Sequence, residues 1–375
     1  MAGEKTAKPL VLMTADTVGG VWTYAVELAA ALARRGVRVH LATMGAAVRE
    51  HQRAQLAGLP DVTLHESEFK LEWMPQPWKD VDHAGEWLLS LERTLRPDLV
   101  HLNQFAFGAL AFRVPKLVVA HSCVLSWWQA VHGEAAPAGW EPYRERVARG
   151  LQGAQRVAAP TAAMLRTLES NYGYRGPARV LANARDPALF APGGKQPFVF
   201  AAGRFWDEAK NLAALDAVAP RLPWPVRVAG SCLRPDGTTL KPTRLQYLGE
   251  LPSTAVAEQL AHASICAHPA RYEPFGLSVL EAALAGCALV LGDIASLREV
   301  WGPAAVYVPP DDHAALAAAL RDLIAEPQRR ERLAVAARQR ALQFTPDRMA
   351  AAYLAVYTEL QPSFAATPRE EMQCA

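Results

Sequence analysis

Glu273 and Glu281 are the residues whose type and spacing carry the most chemistry in this chain. They stand eight apart, the first opening Glu273-Pro274-Phe275-Gly276-Leu277. Pro274 and Gly276 mark a turn. Leu277, Leu280 and Leu284 then supply an apolar helical period, and Gly286 a stop. A helix that begins this way offers free backbone N–H groups and a positive dipole end, which suits a phosphate. At about 1.5 Å per residue, the eight residues span roughly 12 Å at most. That reach fits a sugar nucleotide, whose hydroxyls need acceptors at both ends. An amphipathic helix with one exposed Glu fits the same residues.

Three further features point the same way. Gly19-Gly20 lies between an apolar strand and a helix, where glycines let the backbone approach a ligand closely. A plain structural turn is the competing reading. No Gly-x-Gly-x-x-Gly occurs there, so it is not a dinucleotide fingerprint. Gly203-Arg204 and Lys210-Asn211 follow the strand that opens the second half. An Arg fork and a Lys point charge can neutralise a leaving diphosphate. Two solvated surface cations are the alternative. His121 closes a strand, where α/β folds place ligands. A neutral imidazole there would donate to a sugar hydroxyl or to the leaving phosphate.

Positioning these groups requires parallel sheets covered by helices, and the pattern supplies them twice. Strands are expected at 10–14, 37–43, 98–103, 116–121 and 156–159, with a helix at 21–35 that ends on Arg34, Arg35 and Gly36. From Phe198 the pattern restarts: strands at 198–202, 226–230, 245–248, 264–268, 288–292 and 304–308, with helices near 211–221 and 254–263 and the helix that carries Glu281. Two Rossmann-like domains are therefore expected, at 1–182 and 183–345, with a final helix and tail at 346–375. Residues beyond Pro362 read as a frayed tail.

Composition narrows the function classes. At 375 residues the chain exceeds one ordinary hydrophobic core. It is 51% hydrophobic and 20% charged, as a globular enzyme is and a disordered chain is not. A net charge of +2, with no basic cluster, gives no footprint for nucleic acid. Five scattered cysteines, without a Cys-x-x-Cys pair, suggest neither zinc nor disulfides. No apolar run of 18 residues occurs, so a cytoplasmic protein is expected; peripheral membrane contact through an amphipathic helix is compatible with this. Seven tryptophans fall in the first 150 residues. Trp127, Trp128 and Trp22 are expected to line an aromatic acceptor cleft.

The spaced pair in its Pro-Phe-Gly setting resembles the Glu-x7-Glu motif of retaining glycosyltransferases of the GT-B fold, family 4, over residues 10–360. The resemblance implies an α/β GT-B architecture, two Rossmann-like domains facing each other across a cleft, the first binding the acceptor and the second a nucleotide-diphosphate sugar. Asn183, Asp186, Phe190 and Pro192 match the family's interdomain linker, and the last helix would cross back onto the first domain. By the same resemblance Glu273 holds donor-sugar hydroxyls, backbone N–H groups of Phe275, Gly276 and Leu277 bind the sugar or phosphate, and Glu281 accepts from ribose. Arg204 and Lys210 stabilise the departing diphosphate, and His121 faces the donor sugar. Gly19 and Gly20 contact the diphosphate or close over the acceptor. The Leu251 loop holds the nucleobase edge by its backbone, and Glu299 supports loop structure. The chain departs from the family's Gly-Arg…Glu-Lys-Gly pattern in its Arg-to-Lys spacing and in Asn211, which stands for the Gly. No cofactor or metal is expected, on the reading that no Asp-x-Asp triplet holds one. The partners implied are a nucleotide-sugar donor, UDP- or GDP-linked, and a sugar, lipid or small-molecule acceptor. A nucleotide-sugar epimerase of similar fold and a catalytically silent partner-binding subunit remain as alternatives.

Overall fold

A computed structural model describes residues 8–234, 237–240 and 242–366. The apolar runs of the first half form β1 (Leu10–Asp16), β2 (Arg38–Met44), β3 (Val62–His65), β4 (Leu99–Leu102), β5 (Lys116–Val119), β6 (Arg156–Ala159) and β7 (Ala178–Val180). They build one parallel sheet in the order β3-β2-β1-β4-β5-β6-β7. β1, β4 and β5 are buried at every position, as the mostly apolar strands of a sheet covered by helices on both faces must be. The second half gives β8 (Gln196–Ala202), β9 (Val226–Ala229), β10 (Gln246–Tyr247), β11 (Ala263–His268), β12 (Ala288–Gly292) and β13 (Val306–Val308). These form a second parallel sheet, β10-β9-β8-β11-β12-β13.

Both sheets reverse their strand order beside their first strand, between β1 and β4 and between β8 and β11. Such a reversal leaves a crevice at the carboxyl ends of the strands, where α/β folds bind ligands. Gly19-Gly20 follows β1, His121 follows β5, Arg204 follows β8, and His268 ends β11. The topology therefore delivers the singled-out residues to the two crevices.

Two edge strands, β3 and β7, were absent from the sequence expectation. They are four and three residues long, too short to show a period. Each sheet carries an apolar cluster on both faces. The last helix, Pro346–Leu360, buries Met349, Ala350, Tyr353, Val356 and Tyr357 against the helix Gly20–Arg34 of the first sheet. The expected fraying beyond Pro362 needs correction. Residues 362–366 form a short turn of helix whose Phe364 is buried against Tyr357, their rings 5.2 Å apart. Residues 367–375, with Cys374, lie outside the described residues. The other four cysteines are free and buried.

Candidate functional site

Glu273 is held at the crevice of the second sheet. Its Oε2 accepts from Lys210 Nζ at 2.7 Å and lies 3.1 Å from Nε2 of His268, the last residue of β11. Burial opposes its ionisation, but the Lys210 charge and the His268 hydrogen bond outweigh it, holding the carboxyl well below the usual range. Lys210 is delivered by a short turn that Asn211 closes in the left-handed region, at φ 55°. Asparagine tolerates that conformation better than other side-chain-bearing residues. Its Nδ2 also donates to the carbonyls of Pro269 and Pro310, at 3.0 and 2.7 Å. Asn211 thus closes the turn without a glycine. Gly276, at φ 90°, turns the chain into the helix Leu277–Leu284.

Residues of the two sheets meet around this point. A Cβ on Gly19, itself at φ 95°, would lie 2.6 Å from Arg204 Nη1, and one on Gly20 would lie 3.6 Å from Leu277 Cδ1. Gly19 therefore lets the loop after β1 touch the guanidinium that follows β8. The Tyr272 hydroxyl accepts from the Cys123 N–H at 2.9 Å, and Trp127 Nε1 donates to Asp207 Oδ1 at 2.8 Å. Thr161 Oγ1 donates to the Pro274 carbonyl at 3.1 Å. The Glu299 carboxylate accepts from the N–H groups of Ala162 and Ala163, at 2.6 and 2.8 Å, capping a helix that packs on the other sheet. Its support is thus for a helix of the first half rather than for its own loop.

Glu281 lies elsewhere in this arrangement. Arg185 Nε stands 2.8 Å from its Oε1, and Arg185 Nη1 stands 2.6 Å from Oε1 of Glu27. All three side chains are largely buried, and one guanidinium serves two carboxylates. Burial raises the carboxyl of Glu281 and that of Glu27, and Arg185 pulls both back.

At the carboxyl ends of β1, β4 and β5, a cavity encloses about 400 Å³. His121, Gly20, Arg204, Trp127 and Trp128 line it. Trp22 does not. It is buried in the first core and donates its Nε1 to Gln55 Oε1 at 2.6 Å, because its helix turns that face inward. Leu251 lies outside the lining too, packed against the second core.

His121 plays a different part from the expected donor. Asn103 Nδ2 donates to the Thr14 carbonyl at 2.6 Å, which fixes Asn103 Oδ1 as an acceptor. His121 Nε2 lies 2.8 Å from that oxygen and must carry the proton. Burial pushes His121 down to about 3, so the ring is neutral and Nδ1 is left as an acceptor. His101 shares Asn103 Oδ1 at 3.2 Å and meets the Tyr357 hydroxyl at 2.6 Å.

Several cavity residues escaped the sequence reading. Asp16 ends β1, and Asn103 and Gln104 follow β4. Each is a polar residue at or just past the carboxyl end of a buried strand, a placement that was readable and unused. The chain also does hold one Asp-x-Asp spacing, Asp80-Val81-Asp82, contrary to expectation. It lies on the helix Trp78–Leu95, with Asp82 paired to Arg146 and Asp80 accepting from the Lys70 N–H, and outside the cavity lining. Among the described residues no cluster of three or more metal-ligating side chains occurs, and no helix is long and apolar enough to cross a membrane.

Residues 18–189 match the sequence family described as Glycosyltransferase Family 4, and residues 191–340 match Glycosyl transferases group 1. Glycogen synthase of Mycobacterium tuberculosis is 43% identical over 103 residues, 27% of this chain and 24% of that protein. O-antigen chain mannosyltransferase B of Escherichia coli is 36% identical over 74 residues, 20% of this chain and 19% of that one. These matches span a quarter or less of the curated relatives. Among solved structures, sucrose-phosphate synthase from Thermosynechococcus elongatus superposes with a TM-score of 0.78 at 20% identity, covering 96% of this chain and 100% of that one. Anabaena HepE in complex with UDP-glucose gives 0.75 at 16%, covering 94% and 100%. At such identities the likeness speaks for the fold, two parallel sheets in the GT-B arrangement. With two adjoining family matches running along most of its length, the chain belongs to the family 4 glycosyltransferases.

Proposed function

We propose that the chain transfers a sugar, with retention of anomeric configuration, from a UDP- or GDP-sugar to an acceptor hydroxyl and needs no metal to do so. The observation that carries this reading is the buried Glu273 carboxylate, kept ionised by Lys210 at the end of β11, with Arg204 reaching across to Gly19. Glu273 accepts from donor-sugar hydroxyls. Arg204 and Lys210 meet the charge that grows on the leaving diphosphate, and backbone N–H groups of Phe275, Gly276 and Leu277 assist. Arg185 already engages one oxygen of Glu281, so the other serves the ribose. The Leu251 loop holds the base. As the bond from the anomeric carbon to the phosphate oxygen breaks, the acceptor oxygen bonds to the same carbon face, and its proton passes to the leaving phosphate oxygen. His121 Nδ1 accepts from a sugar hydroxyl. The acceptor comes to the cavity of residues 1–182, and residues 183–345 take the donor, in the cytoplasm. That HepE was solved with UDP-glucose supports the donor class.

The test is transfer from UDP- and GDP-sugars to an acceptor panel, in EDTA, with the product's anomeric proton read by NMR. Retention with undiminished turnover is expected. An inverted product, or activity restored only by a divalent cation, would overturn the mechanism.

A further inference from the structure

The aromatic cavity holds polar groups with nothing to bind. Gln104 is 6% exposed, yet among the described residues neither Oε1 nor Nε2 of its carboxamide has a partner. Trp128 Nε1, in the same wall, is buried without an acceptor. Native proteins seldom leave such groups unpaired, because each forfeits its hydration for nothing. A carboxamide presents a donor and an acceptor in one plane, which two adjacent hydroxyls satisfy together. The walls are indole rings, among them Trp73, Trp127 and Trp140, flat faces suited to the C–H edges of a saturated ring.

Charge narrows the ligand further. Among the described residues, the ionisable lining holds the carboxyl groups of Asp16, Glu72 and Asp207 and one permanent cation, Arg204. Glu72 is committed to the N–H groups of Phe105 and Ala106, both at 3.0 Å, and Asp207 to Trp127 and Ala209. Arg204 faces the diphosphate under the function proposed above. An acceptor phosphate would find no second cation and would sit near Asp16. A flat aromatic acceptor would satisfy the walls, but its single hydroxyl would meet only part of the Gln104 carboxamide. The volume, about 400 Å³, lies at the low end for ligand pockets.

We propose that the acceptor is an uncharged saccharide ring, its hydroxyls read by the Gln104 carboxamide and Trp128 Nε1 and its ring edge laid on the indole walls. The word acceptor rests on the transferase reading; the binding itself does not.

The experiment is calorimetric titration of the full chain with glucose, galactose, mannose, maltose, glucose 6-phosphate and 4-nitrophenol, and separately with UDP and GDP. At least one neutral saccharide is expected to saturate, and to bind more tightly than glucose 6-phosphate and 4-nitrophenol. Gln104→Leu, close in shape, should weaken it about tenfold, and Trp128→Phe, which keeps a ring and removes the N–H, should weaken it also. Nucleotide affinity should stay unchanged in both variants, which also reports their folding. Failure of all four saccharides, preference for glucose 6-phosphate or 4-nitrophenol, or an unmoved Kd in Gln104→Leu overturns the proposal. Saccharide binding without nucleotide binding sinks the transferase reading alone. Nucleotide binding without saccharide binding sinks this one alone.

Discussion

Asp16→Asn is expected to stabilise the protein, and more so as the pH rises. Asp16 ends β1 and is buried beside the Gly19 turn. Burial pushes its carboxyl from 3.8 up to about 7, against the pull of the Val18 N–H bond, the Arg204 charge and Trp73. The folded chain thus keeps a proton that the unfolded chain releases at lower pH. Between pH 3.8 and about 7 the folded state binds more protons, so stability falls as pH rises through that window, and the whole deficit is present above it. At 1.36 kcal/mol per pH unit, the gap from 3.8 to about 7 caps the deficit at about 4 kcal/mol. Asparagine keeps an oxygen for the Val18 N–H, now 2.6 Å from Oδ1, and has no charge to bury. Urea unfolding followed by tryptophan fluorescence suits the question, since seven of the ten tryptophans lie in the first 150 residues. The stability difference between Asp16→Asn and the parent should widen by about 2–3 kcal/mol from pH 5 to pH 8. A difference that stays constant with pH, or that shrinks, would refute the account of this carboxylate.

Lys210→Met should lower kcat about 10²–10³-fold, by removing a cation from the leaving group, and should destabilise the fold by about 3–5 kcal/mol, because Glu273 then stays buried without its charge partner. Wild-type turnover from a UDP- or GDP-sugar would exclude Lys210 from the site. Gly19→Ala meets Arg204 at 2.6 Å and strains a φ of 95°, so the nucleotide Kd should rise at a stability cost of only about 1–2 kcal/mol. An unchanged Kd would show that the loop and Arg204 separate when the donor binds. Glu299→Ala removes two charge-assisted bonds to the helix Ala162–Tyr172 and should cost about 1.5–3 kcal/mol, read as a lower urea midpoint. An unmoved midpoint would mean that water replaces the carboxylate.

What could be read from the sequence was whatever lies within one element or one turn. Continuous apolar strands such as β12 were legible to the residue, and Glu273 stood out because its turn and helix are contiguous with it. The short edges β3 and β7 carry too few residues to declare a period. Trp22 was misplaced for a related reason. Its position after Gly19-Gly20 suggested the crevice, but the helical rotation that buries it against the first core depends on which face the sheet covers. Asn211 shows the opposite case. Its departure from the glycine that the resemblance implies was visible, while its fitness for a left-handed turn follows from a φ of 55°.

Contacts between distant segments were beyond any reading of spacing, and Glu281 shows why that matters for chemistry. Its partner Arg185 comes from the segment between the two sheets, and Arg185's second partner, Glu27, from the first helix. Neither carboxylate is held by the guanidinium alone: burial raises both, and Arg185 is the principal charge opposing it. Removing Arg185 leaves two buried carboxylates facing one another. Protonating one of them is then the least costly escape, since an unpaired buried charge costs several kcal/mol. On the function proposed above, a ribose at Glu281 would bind a carboxylate already shared. Its affinity is therefore set jointly by the helix that carries Glu281, the segment that carries Arg185 and the helix that carries Glu27. A substitution at Glu27, outside the donor site, should shift nucleotide affinity by freeing Arg185 to bind Glu281 more fully. Glu27→Gln is the conservative form of that change, and a nucleotide Kd identical to the parent's would show that the three side chains act independently.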